Sequence, residues 1–366
     1  MMNIDEQYMY RCIALASKGN GSVAPNPMVG AVLVFNNRII GEGYHQQYGG
    51  PHAEVNCLNS VPENEQINIE HSVLYVSLEP CTHFGKTPPC TNLILKKGIR
   101  KVVIGCRDPF SKVNGKGVEQ LKAAGVEVLE DVLKDDCIAL NKRFFTFHQI
   151  QRPFIVLKWA QTLNEKIAAS NQERLLISNP VTNRLVHCWR SKEAAILIGT
   201  NTALQDNPVL DNRLWMGKSP LRLLIDKQLR LPAHLHLFSD GKPLVVYNFK
   251  KNEQVGAVSY KLISPQKNIL EQILEDTYNL GIQSILVEGG EQLLQSFIDA
   301  ELWDEAKVIT NKELVIEGEA VNAPLLKNAQ VTKRTLLLSD EIIEYINTAN
   351  QTFKIIKPNA ITLLNS

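Results

Sequence analysis

Within residues 52–90, one histidine and two cysteines, His52, Cys81 and Cys90, could together bind a zinc ion. One imidazole and two thiolates leave a fourth coordination position for water, as in catalytic zinc sites. Zinc lowers the pKa of such a water towards neutrality and so makes hydroxide available. Glu54 follows His52 closely enough for its carboxylate to take the proton of the water and return it to a leaving amine. The pattern predicts a hydrolytic zinc site with Glu54 as the catalytic acid–base.

Each part of this pattern is weak alone, and the ordered combination is what carries the prediction. A structural zinc site would need a fourth protein ligand, for which His83, Cys57 and Cys106 are the candidates. Cys81 follows an expected strand and Cys90 opens an expected helix, whose positive end favours a thiolate. H-x-E followed by a P-C…C pair is the signature of zinc deaminases, so we favour the catalytic interpretation.

The composition is that of an ordinary globular chain of 366 residues, 44% of them apolar. Lys and Arg total 39 against 38 Asp and Glu, which argues against a broad surface for nucleic acid or an anionic membrane. No apolar run approaches the ~18 residues of a membrane helix, and no secretory signal is visible. Seven cysteines, an odd number, indicate thiols in a reducing compartment, so we expect a cytoplasmic protein.

Alternating helix and strand patterns predict two α/β domains, divided as 1–147 and 148–366, with the joint near residues 144–153. The first half is expected to contain helices at 5–18, 52–58, 90–97, 117–124 and around 141–147, and strands at 29–35, 38–44, 72–78 and 101–105. The second half is expected to contain strands at 154–159, 194–198, 221–225, 244–247 and 284–287, helices at 180–189, 268–280 and 291–299, and weak strands after about residue 311.

Four motifs of the first half extend the zinc pattern. They are Asn26-Pro27-Met28-Val29-Gly30, Gly41-Glu42-Gly43-Tyr44-His45, Pro51-His52-Ala53-Glu54 and the run from Leu78 to Cys90. Together they resemble the bifunctional riboflavin biosynthesis deaminase/reductase family, to which the longer loop between the two cysteines is specific. The resemblance runs through nearly the whole chain. It implies an α/β protein with an N-terminal cytidine-deaminase-like α/β/α domain and a C-terminal dihydrofolate-reductase-like α/β domain.

For the first domain, the resemblance implies hydrolytic deamination of 2,5-diamino-6-ribosylamino-4(3H)-pyrimidinone 5′-phosphate. Asn26, His83, Lys86 and Asp108 match family positions that hold the pyrimidine and the phosphate. An amide offers a donor and an acceptor to a base edge, and a lysine offers a cation to a phosphate. From composition alone, a solvated loop lysine is the favoured interpretation of Lys86, and only the resemblance gives it a role. The family has Asp-Pro-Asn-Pro where this chain has Phe110 as the third residue, so one polar substrate contact is expected to be replaced.

For the second domain, the residues alone indicate only a strand, a glycine pair and a helix start, whose backbone N–H groups could bind a phosphate. The absence of G-x-G-x-x-G counts against a Rossmann dinucleotide site. The resemblance implies NADPH reduction of 5-amino-6-(5-phosphoribosylamino)uracil, with two arginines suited to the ribose phosphate. The matching positions are Ala160, Thr202, Asp206, Gly289 and Gly290 for the cofactor and Arg190, Leu210, Arg213 and Glu288 for the substrate.

Two segments of the second domain depart from the family. Asn164 and Glu165 stand where the family has Asp-Gly, and Arg174 and Leu176 stand where it has Ser and Trp. We therefore assign no functional role to Arg174 or Leu176. We expect a working reductase with weakened cofactor binding.

Two alternatives remain open. The second half can be a non-catalytic assembly domain, or the chain can be a nucleoside or tRNA deaminase with an unrelated appendage, against which the near-neutral charge argues. We expect one zinc ion per chain, NADPH and a small pyrimidine ribotide as ligands, no nucleic acid or membrane partner, and a homo-oligomer, either a dimer or a tetramer.

Overall fold

The computed structural model describes residues 2–84, 88–110, 113–169 and 175–350. They form two compact units, one ending at Ile150 and the other beginning at Gln151. Lys86 and Arg174, two residues considered above, lie outside the described residues. Within these ranges no helix is long and apolar enough to cross a membrane.

The first unit alternates strands and helices as expected. Its strands are β1 (Gly30–Phe35), β2 (Arg38–Tyr44), β3 (Val73–Leu78), β4 (Lys101–Cys106) and β5 (Glu127–Leu129). Its helices are α1 (Ile4–Ser17), α2 (Ala53–Asn59), a 3₁₀ helix (Glu63–His71), α3 (Cys90–Lys96), α4 (Lys116–Ala123), α5 (Lys134–Leu140) and α6 (Lys142–Ile150).

Among the described residues, these strands form one sheet in the order β2-β1-β3-β4-β5. Strands β3, β4 and β5 run parallel, whereas β1 pairs antiparallel with β2 and β3. Asn36 and Asn37, between β1 and β2, both have left-handed φ angles, of 48° and 59°, as in a two-residue β-hairpin turn.

Helices cover both faces of this sheet, which confirms the expected α/β/α layers. Along β1, Ala31 and Leu33 join the core under α2, α3 and α4, whereas Val32 and Val34 join the core under α1, α5 and α6. Helix α2 lies directly on β2 because Gly43 has no side chain; a Cβ there would lie 2.2 Å from the Cys57 nitrogen. This close approach places the start of α2, where His52 stands, against the sheet.

The second unit is larger and is built on the same alternation. Its strands are β6 (Phe154–Gln161), β7 (Lys166–Ala169), β8 (Ala195–Gly199), β9 (Leu221–Ile225), β10 (Leu244–Asn248), β11 (Glu253–Val255), β12 (Val258–Leu262), β13 (Ser284–Glu288), β14 (Glu305–Asn311), β15 (Ala320–Asn322), β16 (Ala329–Leu337) and β17 (Asp340–Asn347). Its helices are α7 (Pro180–Lys192), α8 (Thr200–Asp206), α9 (His236–Ser239), α10 (Ile269–Asn279) and α11 (Glu291–Asp299).

In the described part of this unit, ten strands form one sheet in the order β11-β12-β10-β9-β8-β13-β6-β14-β17-β16. The seven strands from β12 to β14 run parallel, and the outer strands are antiparallel. The strands and helices predicted for this half are confirmed within a few residues. The strands expected weakly after residue 311 form β15 and the hairpin of β16 and β17.

A tight turn joins β6 to β7 at one of the two departures from the family pattern. The Thr162 N–H donates to the Lys166 carbonyl at 2.9 Å, and the Glu165 N–H donates to the Thr162 carbonyl at 3.0 Å. Glu165 has a φ of 58°, in the left-handed region that favours glycine. The chain thus forms a turn typical of Asp-Gly, although the Cβ of Glu165 is sterically unfavourable in this conformation.

We predict that Glu165→Gly stabilises the second unit. The left-handed conformation destabilises a residue with a Cβ by about 1–2 kcal/mol. Glycine avoids this strain but loses more chain entropy on folding, which reduces the gain by roughly 0.5–1 kcal/mol. The expected net gain is about 0.5–1 kcal/mol in the free energy of unfolding, measured by urea denaturation of the full chain. Glu165→Ala is the matched control, since it removes the same side chain and keeps the strain. Equal stabilisation by alanine would show that the backbone conformation is not the cause.

Candidate active sites

The three zinc-ligand candidates of the first unit lie together. Their ligand atoms are all within 4.8 Å of one another, and His52 Nδ1 lies 3.5 Å from Cys81 Sγ and 3.3 Å from Cys90 Sγ. Nitrogen and sulfur ligands of a tetrahedral zinc ion, at their usual bond lengths, are about 3.5 Å apart. The donor types and spacings therefore fit a zinc ion.

The local backbone explains this convergence. His52 is the N-cap residue of α2, Cys81 follows β3 closely and Cys90 is the first residue of α3. The Cys90 N–H donates to Cys81 Sγ at 3.4 Å. Hydrogen bonds from the Cys90 thiol and then from His52 lower the pKa of Cys81 to about 4, so this sulfur is a thiolate at neutral pH.

Glu54 lies in the first turn of α2 and is 3% exposed. Burial, followed by the nearby Cys81 sulfur, raises the pKa of Glu54 to about 7. A carboxyl group with such a pKa can both accept and release a proton near neutral pH, as the predicted acid–base role requires.

No described residue adds a fourth ligand to this cluster. Cys57 and Cys106 are buried in the two cores of the unit, and neither belongs to the group of close ligand atoms. His83 is outside that group as well, and its buried Nδ1 has no hydrogen-bond partner among the described residues. The structure therefore favours an open, catalytic site over the structural alternative.

Asn26 is paired with His45, a residue to which the sequence assigned no role. The Nδ1 of His45 donates to the Pro51 carbonyl at 3.0 Å, so its Nε2 accepts from the Asn26 amide at 3.1 Å. The His45 ring meets the His52 ring edge-on, with centroids 5.5 Å apart. Burial lowers the pKa of His45, which keeps it neutral. The only sequence signal for His45 was its place in the Gly41–His45 motif.

Asp108 and Phe110 follow β4. Asp108 is 8% exposed, burial raises its pKa to about 7, and its Oδ1 accepts the Phe110 N–H at 2.8 Å. The Phe110 ring lies 6.1 Å from the His83 ring and 5.0 Å from the His148 ring. The Phe110 ring, which lies near both the His83 and the His148 rings, thus occupies the position where the family has an asparagine amide.

The buried Glu79 connects this segment to the zinc-ligand candidates. One carboxylate oxygen accepts the N–H groups of Asp108 and Gly115 at 3.2 and 2.9 Å. The other accepts those of Gly117 and Val118 at 2.8 and 3.3 Å. This one side chain therefore holds the segment after β4 and the start of α4 beside Cys81.

In the second unit, all nine residues predicted to bind the cofactor or the substrate line one cavity of about 1220 Å³. Ala160, Glu288 and the glycine pair lie at the carboxyl ends of β6 and β13, and Thr202 and Asp206 lie on α8 after β8, where ligands bind in open α/β sheets. Helix α7 and the loop between α8 and β9 contribute the other three residues, which are Arg190, Leu210 and Arg213. The cavity wall also contains Leu176, whose side chain is exposed, and His187, which is buried.

A buried ion-pair group lies in this cavity. Arg190 donates to Glu288 through Nε and Nη2, both at 2.8 Å, and Lys158 lies 3.7 Å from the same carboxylate. Burial alone would raise the pKa of Glu288, but the charges of Arg190 and then Lys158 lower it to about 2. Glu288 is therefore an anion that fixes the Arg190 guanidinium.

Other residues predicted to bind ligands lie in the loop between α8 and β9, which carries Arg213, and at the starts of α8 and α11. Arg213 donates to Asp211 at 2.7 Å and keeps more than half of its side chain exposed. On the other side, the Gly290 N–H at the start of α11 donates to Thr202 Oγ1 at 3.1 Å. Leu210 adopts a left-handed φ of 57° in the Arg213 loop. The structure brings these residues to one cavity, and their binding roles remain predictions.

Both halves of the chain match known families. Residues 2–106 match the cytidine and deoxycytidylate deaminase zinc-binding region, and residues 153–321 match the RibD C-terminal domain.

Similar proteins cover nearly the whole chain. Riboflavin biosynthesis protein RibD of Aquifex aeolicus is 38% identical over 87% of this chain and 90% of its own length, and that of Actinobacillus pleuropneumoniae is 37% identical over 88% and 87%. The crystal structure of a diaminohydroxyphosphoribosylaminopyrimidine deaminase/5-amino-6-(5-phosphoribosylamino)uracil reductase from Thermotoga maritima is 35% identical. It covers 94% of this chain and 99% of its own, with a TM-score of 0.84.

We predict that Glu79→Gln destabilises the first unit. An amide group would turn its N–H donors towards backbone N–H groups that now donate to a carboxylate. Hydrogen bonds to charged groups contribute roughly 1.5–3 kcal/mol, so a loss of this size in the free energy of unfolding is expected. Urea denaturation of the full chain measures it. Glu119→Gln, at an exposed position of α4, is the control. A stability loss no larger than that of the control would contradict the role of Glu79.

Proposed function

Since the chain belongs to the riboflavin biosynthesis protein RibD family, as a bifunctional deaminase/reductase, we propose that its two units act in turn on one pyrimidine ribotide. The first hydrolytically deaminates 2,5-diamino-6-ribosylamino-4(3H)-pyrimidinone 5′-phosphate. The second reduces the ribosyl group of 5-amino-6-(5-phosphoribosylamino)uracil to ribityl. The observation that carries this proposal is the close cluster of His52, Cys81 and Cys90 beside the buried Glu54.

His52, Cys81 and Cys90 would hold one zinc ion, since their donor types and spacings fit it. Zinc bound there supplies a water of lowered pKa next to the substrate. The Glu54 carboxyl group takes a proton from the attacking water and delivers it to the departing amine. Its pKa of about 7 suits both transfers.

Four residues are proposed to hold the substrate of the first unit, of which the structure describes Asn26, His83 and Asp108. The neutral His45 orients the Asn26 amide, since its Nε2 accepts one amide hydrogen and leaves the rest of the amide for a base edge. The buried Nδ1 of His83 is a further polar atom suited to the substrate.

The cavity of the second unit is large enough for a dinucleotide and a ribotide, so its residues fit NADPH. NADPH supplies the hydride that opens the ribose ring. Ala160, Thr202, Asp206, Gly289 and Gly290 are proposed to hold the cofactor. Arg190, Leu210, Arg213 and Glu288 are proposed to hold the substrate, with the exposed guanidinium of Arg213 available to the phosphate.

This arrangement bears on both alternatives. The idea of an unrelated appendage is wrong, because residues 153–321 match the RibD C-terminal domain. All nine proposed binding residues lie around one cavity, which argues against an assembly domain without catalysis. We also propose a cytoplasmic homo-oligomer, a dimer or a tetramer. None of the seven cysteines, all within the described residues, forms a disulfide bond, in keeping with a reducing compartment.

We predict that Cys81→Ser and Cys90→Ser each lose most of the zinc that the wild-type chain binds. Serine replaces a thiolate by a neutral, poorer ligand, and only three protein ligands are proposed. Metal analysis of the purified proteins measures the zinc content per chain. Cys188→Ser, in the second unit, is the control and should keep it. One full equivalent of zinc in both ligand variants would contradict the assignment.

The two activities should separate. Glu54→Gln should keep zinc, reduce deamination by ~10²–10⁴-fold and leave reduction of the deaminated ribotide intact. Arg213→Ala should impair only the reduction. Ammonia release and NADPH oxidation are measured separately on the two substrates. If either substitution abolished both steps in a folded protein, the assignment of one activity to each unit would be wrong.

Leu176→Trp should tighten NADPH binding. Leu176 lines the cavity at 76% exposure, where the family has an aromatic residue. An aromatic contact contributes roughly 0.5–1.5 kcal/mol, which corresponds to ~2- to 10-fold in the dissociation constant. Fluorescence titration with NADPH measures it, and Leu204→Trp, at an exposed position of α8, is the control. Absence of NADPH binding in wild type and variant alike would favour the assembly-domain alternative.

A further inference from the structure

His187 is a buried imidazole in the wall of the reductase cavity to which neither the sequence motifs nor the proposed function assigns a role. It lies on α7, one helical turn before Arg190, so both side chains project from the same face. Its Nδ1 accepts the backbone N–H of Arg213 at 3.2 Å. His187 therefore contacts the loop that carries the proposed phosphate ligand.

The hydrogen bond requires an unprotonated Nδ1, so the proton of the neutral ring is on Nε2. The surroundings support this state. Burial, and then the positive charges of Arg190 and Arg213, lower the pKa of His187 to about 4, although Asp211 and Glu288 oppose them. The Nδ1 acceptor is thus available throughout the neutral pH range.

Helix α7 holds this loop at two points. Besides the bond to His187, Arg190 Nη1 donates to the Asp211 carbonyl at 3.2 Å. Arg190 is itself fixed by its two hydrogen bonds to Glu288. Within the loop, Asp211 accepts from the Arg213 guanidinium. His187 therefore holds the Arg213 backbone directly, whereas Arg190 holds it indirectly, through the backbone of Asp211.

We propose that His187 is a positioning residue of the reductase site: its Nδ1 anchors the Arg213 backbone so that the guanidinium meets the substrate phosphate. The proposal rests on the proposed function, in which Arg213 binds that phosphate. His187 acts through Arg213 and takes no part in hydride transfer.

Two isosteric substitutions test this role in the full chain. Asparagine places its Oδ1 near the position of Nδ1 and can still accept the Arg213 N–H, whereas glutamine places its polar atoms near Nε2. His187→Gln should raise the KM for 5-amino-6-(5-phosphoribosylamino)uracil by ~3- to 10-fold, as expected for loss of one hydrogen bond. The kcat and the NADPH dissociation constant should stay within about twofold. His187→Asn should restore the wild-type KM within about threefold. Arg184→Ala, at an exposed position of α7, is the control.

The outcomes distinguish this proposal from the function it rests on. A raised KM in Arg213→Ala, with a wild-type KM in His187→Gln, would overturn the positioning role alone. A wild-type KM in Arg213→Ala would overturn the phosphate assignment of Arg213. Equal KM increases in the Asn and Gln variants would also contradict an Nδ1 anchor. If the Gln variant lost NADPH binding through misfolding, the Asn variant decides, since a KM raised more than about threefold in it refutes the proposal.

Discussion

A partly buried sulfur atom, a buried one and a buried carboxyl group lie beside one imidazole in the first unit, and a backbone N–H group donates to the partly buried sulfur. Removing such groups from water is costly unless they find partners. The Cys90 N–H donates to Cys81 Sγ, and hydrogen bonds from the Cys90 thiol and His52 lower the pKa of Cys81, which favours its thiolate form. Glu79, next but one to Cys81, is in turn satisfied by four backbone N–H groups. The site is thus inseparable from the loops that follow β3 and β4.

In the second unit, a buried carboxylate is stabilised by positively charged side chains instead of backbone N–H groups. The buried Glu288 is matched by Arg190 and Lys158, and Arg190 also reaches the loop that carries Arg213. Parallel strands β6, β8, β9 and β13 end at the same edge of the sheet, so short loops can bring residues from distant parts of the sequence to one cavity. Each unit therefore builds its site where parallel strands end, the first mainly with backbone donors and the second with ion pairs.

The zinc-ligand candidates were predictable because His52, Glu54, Cys81 and Cys90 occur in the order that is the signature of zinc deaminases. The main helices and strands followed from apolar periodicity. The roles of Glu79 and His187 were not predictable, since both bind backbone N–H groups that only the tertiary fold brings near. Glu165 was visible as a departure from the family, and the structure explains how the turn tolerates it: the residue accepts a left-handed conformation.

In the proposed function, one chain performs a hydrolytic deamination and then a reduction. The most direct measurement supplies the purified full chain with the diaminopyrimidinone ribotide, with and without NADPH, and identifies the products by mass spectrometry. We expect the deaminated ribosyl product with ammonia release when NADPH is absent, and the ribityl product, two hydrogens heavier, when it is present. An unchanged ribotide in both reactions, or a deaminated product that NADPH never converts, would contradict it.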